Sequence, residues 1–203
     1  MPHRHDIYFL LYPTPAAACC AAVLWDATRL RCAVKSFPMP PERLHITLLP
    51  LGRFEDWIPD RVLEQAQAAG AAVDDEPFDV VFNALRSRSG APIGTVELAG
   101  GGPALRKLYR LQRDLRERLI RVGFPADQLR TGFTPHMTLD YKHPRVAPRS
   151  FETPVAWRVT ELCLVDSLHG RGRHEVLARW PLRERQQVFS GWETDFSIDF
   201  RRA

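Results

Sequence analysis

The chain contains the same short His-x-Thr phrase twice, at residues 45–47 and 136–138. Each copy sits in an apolar run of the kind that forms a strand, over 44–49 and over 135–141. Successive side chains of a strand point to opposite faces, so each histidine shares a face with the threonine two residues later. The repeat therefore predicts two strands that each carry a histidine and a threonine on one face, and two such strands could meet across a cleft.

Two such strands would bring two imidazoles and two hydroxyls to one small volume, namely His45, Thr47, His136 and Thr138. Imidazole titrates close to neutral pH, so one histidine can accept a proton while the other donates one. The hydroxyls can donate hydrogen bonds to oxygens on which negative charge develops. This set of groups suits acid–base chemistry on a phosphodiester without a metal.

Hydrophobic periodicity predicts three helices between the remaining strands. The helices are expected over 15–28, 57–73 and 104–122. Besides the two His-x-Thr strands, further strands are expected over 6–12, 78–88, 93–98, 157–166 and 174–181, and the first His-x-Thr strand is expected to end at Gly52. The resulting order, β-α-β, α-β-β, α-β-β-β, favours an α+β fold with helices packed on antiparallel sheets.

The composition indicates one globular unit with an ordinary core. A chain of 203 residues with 45% apolar residues is long enough for one domain, or for one domain with two lobes. The net charge is +4, and only three of the 28 basic residues are lysines. This arginine excess has two interpretations, genomic base composition or a surface that faces phosphate, and the charge alone does not separate them.

Several classes of protein are not supported by any sequence pattern. The four cysteines lack the spacing of a zinc site and are expected to be buried free thiols, so no metal or other cofactor is predicted. No nucleotide-binding loop, serine-hydrolase elbow or dinucleotide motif is present. No apolar run is long enough to cross a bilayer. We therefore expect a cytoplasmic protein without a membrane partner, acting as a monomer.

Three residues near the second phrase are weaker candidates for substrate binding. Arg130 and Lys142 could each bring a cation to the site, although a peripheral role is equally open. Tyr141 could stack on a base, but strict alternation places it opposite His136, packed in the core unless the strand bends. His169 and His174 flank a Gly/Arg-rich loop, which could reach a substrate but is interpreted as a solvated hairpin.

The phrases and their surroundings resemble one known family. The likeness rests on Leu44-His-Ile-Thr-Leu48, on Phe133-Thr-Pro-His-Met-Thr-Leu139 and on the closing segment 161–182. Over roughly residues 6–182 the chain is similar to the 2H phosphoesterase superfamily, and within it to the RNA 2′,3′-cyclic phosphodiesterases, also called 2′-5′ RNA ligases or LigT-like proteins. The RNA-processing branch has an arginine shortly after the second motif, where this chain has Asp140-Tyr141-Lys142.

The resemblance implies a bilobal fold over residues 1–182, with two antiparallel sheets facing a central cleft, helices packed outside, and a C-terminal extension over 183–203. It implies hydrolysis of a 2′,3′-cyclic phosphate, at RNA 3′ ends or in small cyclic nucleotides, to a 2′-phosphate. His45 would be the proton donor and His136 the proton acceptor. Two alternatives stay open: a 2′-5′ RNA ligase or phosphodiesterase on another substrate, and a non-catalytic RNA-binding module.

Overall fold

The computed structural model describes residues 4–32, 38–88, 94–143, 146–168 and 173–184, and these residues form eight strands and three α-helices. The strands are β1 (Arg4–Leu11), β2 (Ile46–Glu55), β3 (Phe78–Arg88), β4 (Gly94–Ala99), β5 (Met137–His143), β6 (Arg149–Val159), β7 (Glu161–Leu168) and β8 (Arg173–Pro181). The helices are α1 (Pro15–Arg31), α2 (Asp60–Ala71) and α3 (Arg106–Arg121). The predicted α+β class is confirmed.

The strands form two four-stranded antiparallel sheets, with the orders β2-β1-β7-β8 and β5-β4-β3-β6. Each His-x-Thr phrase leads into a strand at one edge of a sheet, β2 in the first sheet and β5 in the second. These two strands also contact each other. The fold therefore brings the two phrases to the place where the sheets meet.

The segment that leads into the first phrase also ties the two sheets together. Pro38 forms a bridge with Asp140 of β5, and the backbone N–H of Met39 donates to the carbonyl of Leu139 at 2.8 Å. Proline favours extended backbone in the residue before it, so the proline-rich run suits this edge pairing. The segment fixes the approach to His45 relative to the strand that carries the second phrase.

The helices pack on the sheets at the positions that the periodicity predicts. The hydroxyl oxygen of Thr14 accepts from the N–H of Ala17 at 3.3 Å and caps α1. Helix α1 then contacts β5 and β6, whereas α2 contacts β7 and β8, and α3 contacts α2 and β2. The indole N–H of Trp25 donates to the buried carboxylate of Asp140 at 3.3 Å, which joins α1 to β5.

The apolar stripe of α3 supplies a large part of the core, and it gives a stability prediction. Leu115 is fully buried, so Leu115→Ala should lower the free energy of unfolding by about 2–5 kcal/mol, through lost transfer energy and the cavity left behind. Val23, which is 67% exposed on α1, provides the control, because Val23→Ala should change stability by less than about 0.5 kcal/mol. Denaturant unfolding measures both, and equal losses would contradict this core assignment.

Three sequence expectations need correction. The strand predicted over 157–166 is two strands, β6 and β7, which separate at Thr160. Gly52 does not end the first motif strand, because β2 continues to Glu55 and Gly52 lies at a register shift with φ of 152°, a conformation that favours glycine. Cys163 is buried and free as expected, but the other three cysteines, at 19, 20 and 32, are exposed free thiols.

The predicted boundary after residue 182 stays a prediction. The N–H of Leu182 donates to the carbonyl of Thr160, and the N–H of Arg183 donates to the carbonyl of Asp75, so the chain remains against the fold at this point. Residues 185–203, the rest of the predicted extension, lie outside the described residues.

Candidate active site

The two phrases border one open cleft. Thr47 and His136 line a cavity of about 430 Å³ between the motif strands. His45 lies close enough to His136 for the charge of His136 to lower the pKa of His45, although burial has the largest effect. Thr138, in β5, lies two residues beyond His136, and both side chains are partly buried. Residues of both phrases thus border the same cleft, and His45 lies close to His136.

Both histidines are held by the same local hydrogen bond. Nδ1–H of His45 donates to the carbonyl of Arg43, and Nδ1–H of His136 donates to the carbonyl of Thr134, each at 2.7 Å. A carbonyl oxygen can only accept, so this geometry assigns the proton to Nδ1 in both rings. Nε2 is then the free nitrogen of each neutral imidazole, and it can take or release a proton in the reaction.

The surroundings of His45 disfavour a positive charge. Burial is the largest cause that lowers its pKa, to about 4, and the nearby charges of His174, Arg43 and His136 lower it further. Only the hydrogen bond to the backbone at Arg43 acts in the opposite direction. At neutral pH this imidazole is therefore uncharged in the free protein.

His136 has a different environment. Its side chain is 25% exposed, and Nε2 lies 3.6 Å from Oε1 of Glu97. Glu97 belongs to β4 and stands opposite Thr138 in the pairing of β4 with β5. Glu97 therefore places a carboxylate oxygen beside the ring nitrogen of His136 that does not bond the backbone.

Glu97 itself is buried among polar partners. Its side chain is only 2% exposed. The hydroxyl of Thr95 donates to Oε1 at 3.0 Å, and the guanidinium groups of Arg86 and Arg88 lie 3.4 and 3.3 Å from its two oxygens. Buried carboxylates are costly unless they are paired in this way. The cluster holds the carboxylate of Glu97 in place beside Nε2 of His136.

The rest of the cleft carries cations and aromatic rings. Arg53, Arg88 and Arg130 line it, together with Tyr8 and Phe133. Guanidinium groups suit phosphate oxygens, and aromatic faces suit nucleobases. The cleft therefore offers both kinds of contact that a nucleotide needs.

The weaker candidates have mixed outcomes. Arg130 is exposed and lines the cleft. Tyr141 is 50% exposed rather than packed in the core, because two register shifts in the pairing of β4 with β5 interrupt the alternation beyond Thr138. After burial and Asp6, the hydroxyl of Tyr141 also helps to raise the pKa of Tyr8. The side chain of Lys142 lies outside the described residues.

His174 lies in the hairpin of β7 and β8 as predicted, but its side chain is half-buried rather than solvated. Its ring centroid lies 4.8 Å from that of His45, with the planes at 75°, and its Nδ1 is 2.9 Å from the hydroxyl of Tyr12. Burial, and then the charge of Arg43, lower the pKa of His174. The neighbouring His169 lies outside the described residues.

The lowered pKa of His45 predicts a loss of stability in mild acid. Its folded pKa is about 4 against an ordinary value of 6.5, so the unfolded chain binds more protons between these values. The contribution of His45 to the free energy of unfolding is full above about pH 6.5 and falls as the pH approaches 4. The free energy of unfolding, measured in urea, should fall less between pH 7 and pH 4.5 in His45→Gln than in the wild type. An equal or larger drop in the variant would contradict this.

The described residues contain no group of three or more His, Cys, Asp or Glu side chains arranged to hold a metal ion. None of their helices combines the length and the apolar character needed to cross a membrane.

The folds of several solved proteins match this one. E. coli LigT, in its complex with 3′-AMP, aligns with a TM-score of 0.70 and 22% identity, over 89% of this chain and 99% of that chain. TT0787 of Thermus thermophilus aligns with a TM-score of 0.69 and 24% identity, over 88% and 98%. Usb1 of Kluyveromyces marxianus aligns more loosely, with a TM-score of 0.53 and 12% identity, over 88% and 98%. At these identities the likeness is one of fold.

Two antiparallel sheets that meet at paired His-x-Thr strands define the 2H phosphoesterase class of fold, which the LigT match confirms. The family model of the 2′-5′ RNA ligase superfamily matches residues 17–171. The chain therefore belongs to that superfamily, whose chemistry is that of RNA phosphodiester bonds. No curated protein sequence matches it.

Proposed function

We propose that the protein opens 2′,3′-cyclic phosphates, at RNA 3′ ends or in small cyclic nucleotides, to 2′-phosphates without a metal. The observation that carries the proposal is a pair of identically held imidazoles that lie close to one another, with His136 lining the cleft. Both rings present Nε2, because both use Nδ1–H on a backbone carbonyl. One imidazole would take a proton from water as the new P–O bond forms, and the other would give a proton to the departing ribose oxygen.

The threonines would stabilise the charge that develops on phosphorus. Thr47 lines the cleft beside His136, and Thr138 follows that histidine by two residues in β5. A hydroxyl from each strand can donate to a non-bridging oxygen as negative charge builds there. The arginines of the cleft would hold the phosphate, which suits the likeness to LigT, a protein crystallised with 3′-AMP, with ATP and with phosphate.

Substrate selection is proposed for the outer part of the cleft. Arg130, Lys142 and Tyr141 remain our candidates for contacts beyond the cyclic phosphate, to which the structure adds Tyr8 and Phe133 as rings at the cleft. Bases of single-stranded RNA are commonly held by stacking on such rings. The protein is proposed to act as a monomer, since both phrases come from one chain.

Ligation is the alternative that the family description favours, since the matching family model is named for 2′-5′ RNA ligase. The same four residues can serve both directions, so the substrates present decide between them. We would incubate the protein with RNA ending in a 2′,3′-cyclic phosphate, in EDTA, with and without an excess of RNA bearing a 5′-hydroxyl. Hydrolysis predicts an end-opened product of unchanged length in both reactions. A longer product as the main species would favour ligation, and binding without any conversion would favour a non-catalytic module.

A further inference from the structure

A row of polar side chains crosses the second sheet beside the cleft. Glu97 of β4 stands opposite Arg86 of β3 and opposite Thr138 of β5, and Arg88 of β3 stands opposite Thr95 of β4. Side chains that stand opposite one another in an antiparallel pair are close enough to interact. The pairing of the three strands therefore gathers two guanidinium groups, a carboxylate and two hydroxyls beside the second motif.

Glu97 is the buried centre of this row, with a side chain that is 2% exposed. Its Oε1 lies 3.3 Å from Nε of Arg88 and 3.6 Å from Nε2 of His136, while its Oε2 lies 3.4 Å from Nε of Arg86. A single oxygen is thus close both to an arginine of the cleft and to the imidazole of the second motif. The carboxylate sets where these two groups stand relative to one another.

Arg88 offers the rest of its guanidinium group to the cleft. Its side chain is 50% exposed and lines the same cavity as Thr47 and His136. Because Nε makes the contact with Glu97, the two terminal nitrogens can donate to an oxygen of a ligand at the same time. Guanidinium groups match phosphate oxygens in geometry and in charge. The cavity therefore contains a group suited to phosphate, and its position is tied to that of His136.

The charges of the row also suit an anion, although a carboxylate lies at its centre. Arg86 and Arg88 both contact Glu97, and an arginine side chain keeps its positive charge in a protein. The row therefore carries more positive than negative charge. Arg88 is also far more exposed than Glu97. A phosphate that enters the cleft would meet this guanidinium group rather than the buried carboxylate.

Arg53 lines the same cavity but is held in a different way. Its Nε lies 2.7 Å from Oδ1 of Asp6, a residue of β1 in the first sheet. Arg88 is held from the second sheet, by the carboxylate that also lies beside His136. The two arginines are therefore not equivalent, and a phosphate placed at His136 should depend more on Arg88 than on Arg53.

Resting on the function proposed above, we infer that Arg88 binds a non-bridging oxygen of the substrate phosphate, and that Glu97 is a positioning residue that holds Arg88 and His136 around that phosphate. The terminal nitrogens of Arg88 donate to the phosphate while Nε stays on Glu97. The contact exists in the bound substrate and in the transition state. The proton transfers at the two histidines are unchanged by it.

Steady-state kinetics on a small 2′,3′-cyclic nucleotide test the role of Arg88. Arg88→Ala should lower kcat/KM by about 10- to 100-fold, mainly through a higher KM, because a hydrogen-bonded charge is lost from the bound substrate. Arg88→Lys should recover only part of this loss, since lysine has a charge but no Nε to hold on Glu97. Arg158→Ala is the matched control, because Arg158 belongs to the same sheet and pairs with Glu184 at 3.0 Å. Wild-type KM in Arg88→Ala would overturn the proposal.

A double-variant cycle tests whether Glu97 acts through Arg88. Glu97→Gln keeps the size of the side chain and weakens its hold on the guanidinium group, so KM should rise. In the Arg88→Ala background the same substitution should raise KM little further, because the group that Glu97 holds is already gone. Equal effects of Glu97→Gln in the two backgrounds would overturn its positioning role. Circular dichroism and a cooperative unfolding transition verify that each variant is folded.

Binding of inorganic phosphate and of adenosine 2′-phosphate, measured by calorimetry, tests the site without turnover. Arg88→Ala should raise both dissociation constants by about fivefold or more, and Arg158→Ala should leave them unchanged. If the wild type opens no cyclic phosphate but its phosphate affinity still depends on Arg88, the proposed function falls and the binding site stands. If the wild type opens the cyclic phosphate and Arg88→Ala changes neither KM nor phosphate affinity, the function stands and this inference is overturned.

Discussion

Replacing either His45 or His136 with alanine should lower kcat/KM for a 2′,3′-cyclic phosphate by about 10²- to 10⁴-fold, the usual contribution of a positioned acid or base. The physical reason is the shared geometry of the two rings, each of which keeps Nε2 free by donating from Nδ1–H to a backbone carbonyl. The double variant should lose little more kcat/KM than either single variant, because the effects of substituting residues that act as a unit are not additive.

The control for this prediction separates chemistry from folding. Arg110, on the exposed face of α3, pairs with Asp114 at 3.5 Å, and a surface pair of this kind contributes little to stability. Arg110→Ala should therefore retain full activity. The histidine variants should keep a cooperative unfolding transition and a wild-type circular dichroism spectrum. Activity within about threefold of wild type in a folded His45→Ala or His136→Ala variant would show that the pair is not the catalytic centre.

Removing the hydroxyl of Thr47 or Thr138 has the second largest expected effect. Thr47→Val and Thr138→Val keep the shape of the side chain and delete the donor, so kcat should fall by about 10²- to 10³-fold while KM changes less. A fall in kcat without a matching rise in KM indicates a contact that is made in the transition state. Steady-state kinetics on a small cyclic nucleotide measure both constants.

Serine provides the matched control for these variants. Thr47→Ser and Thr138→Ser retain the hydroxyl and lose only a methyl group, so they should keep most of the wild-type kcat. If serine and valine variants are equally impaired, the threonines act through packing in their strands and not through a hydrogen bond to the phosphate. If neither is impaired, the oxygens of the phosphate are held by other groups, with Arg130 as the first to test.

The sequence was enough to find the paired strands, because the evidence for them is local and repeated. Alternation in 44–49 and 135–141 places each histidine on the face of its threonine, and apolar periodicity locates α3 within a few residues of its ends. These features depend only on residues that are close along the chain. They are therefore the same for any order of the strands in the sheets.

The partners of the histidines could not be predicted, because they depend on pairings between distant segments. Glu97 meets His136 only because β4 pairs with β5 in a register that sets Glu97 opposite Thr138. His174 meets His45 although β8 and β2 stand at opposite ends of their sheet order. Tyr141 was misplaced for a related reason, since two register shifts in β5 break the alternation on which the prediction relied.

The central claim is that the paired histidines open a cyclic phosphate with a defined regiochemistry. The most direct measurement is a phosphorus NMR time course on an RNA ending in a 2′,3′-cyclic phosphate, in EDTA, with wild type, His45→Ala and His136→Ala. The account predicts that the cyclic signal converts to a 2′-phosphomonoester with the wild type alone. A 3′-phosphomonoester, conversion by either variant at the wild-type rate, or an unchanged cyclic signal with the wild type would contradict it.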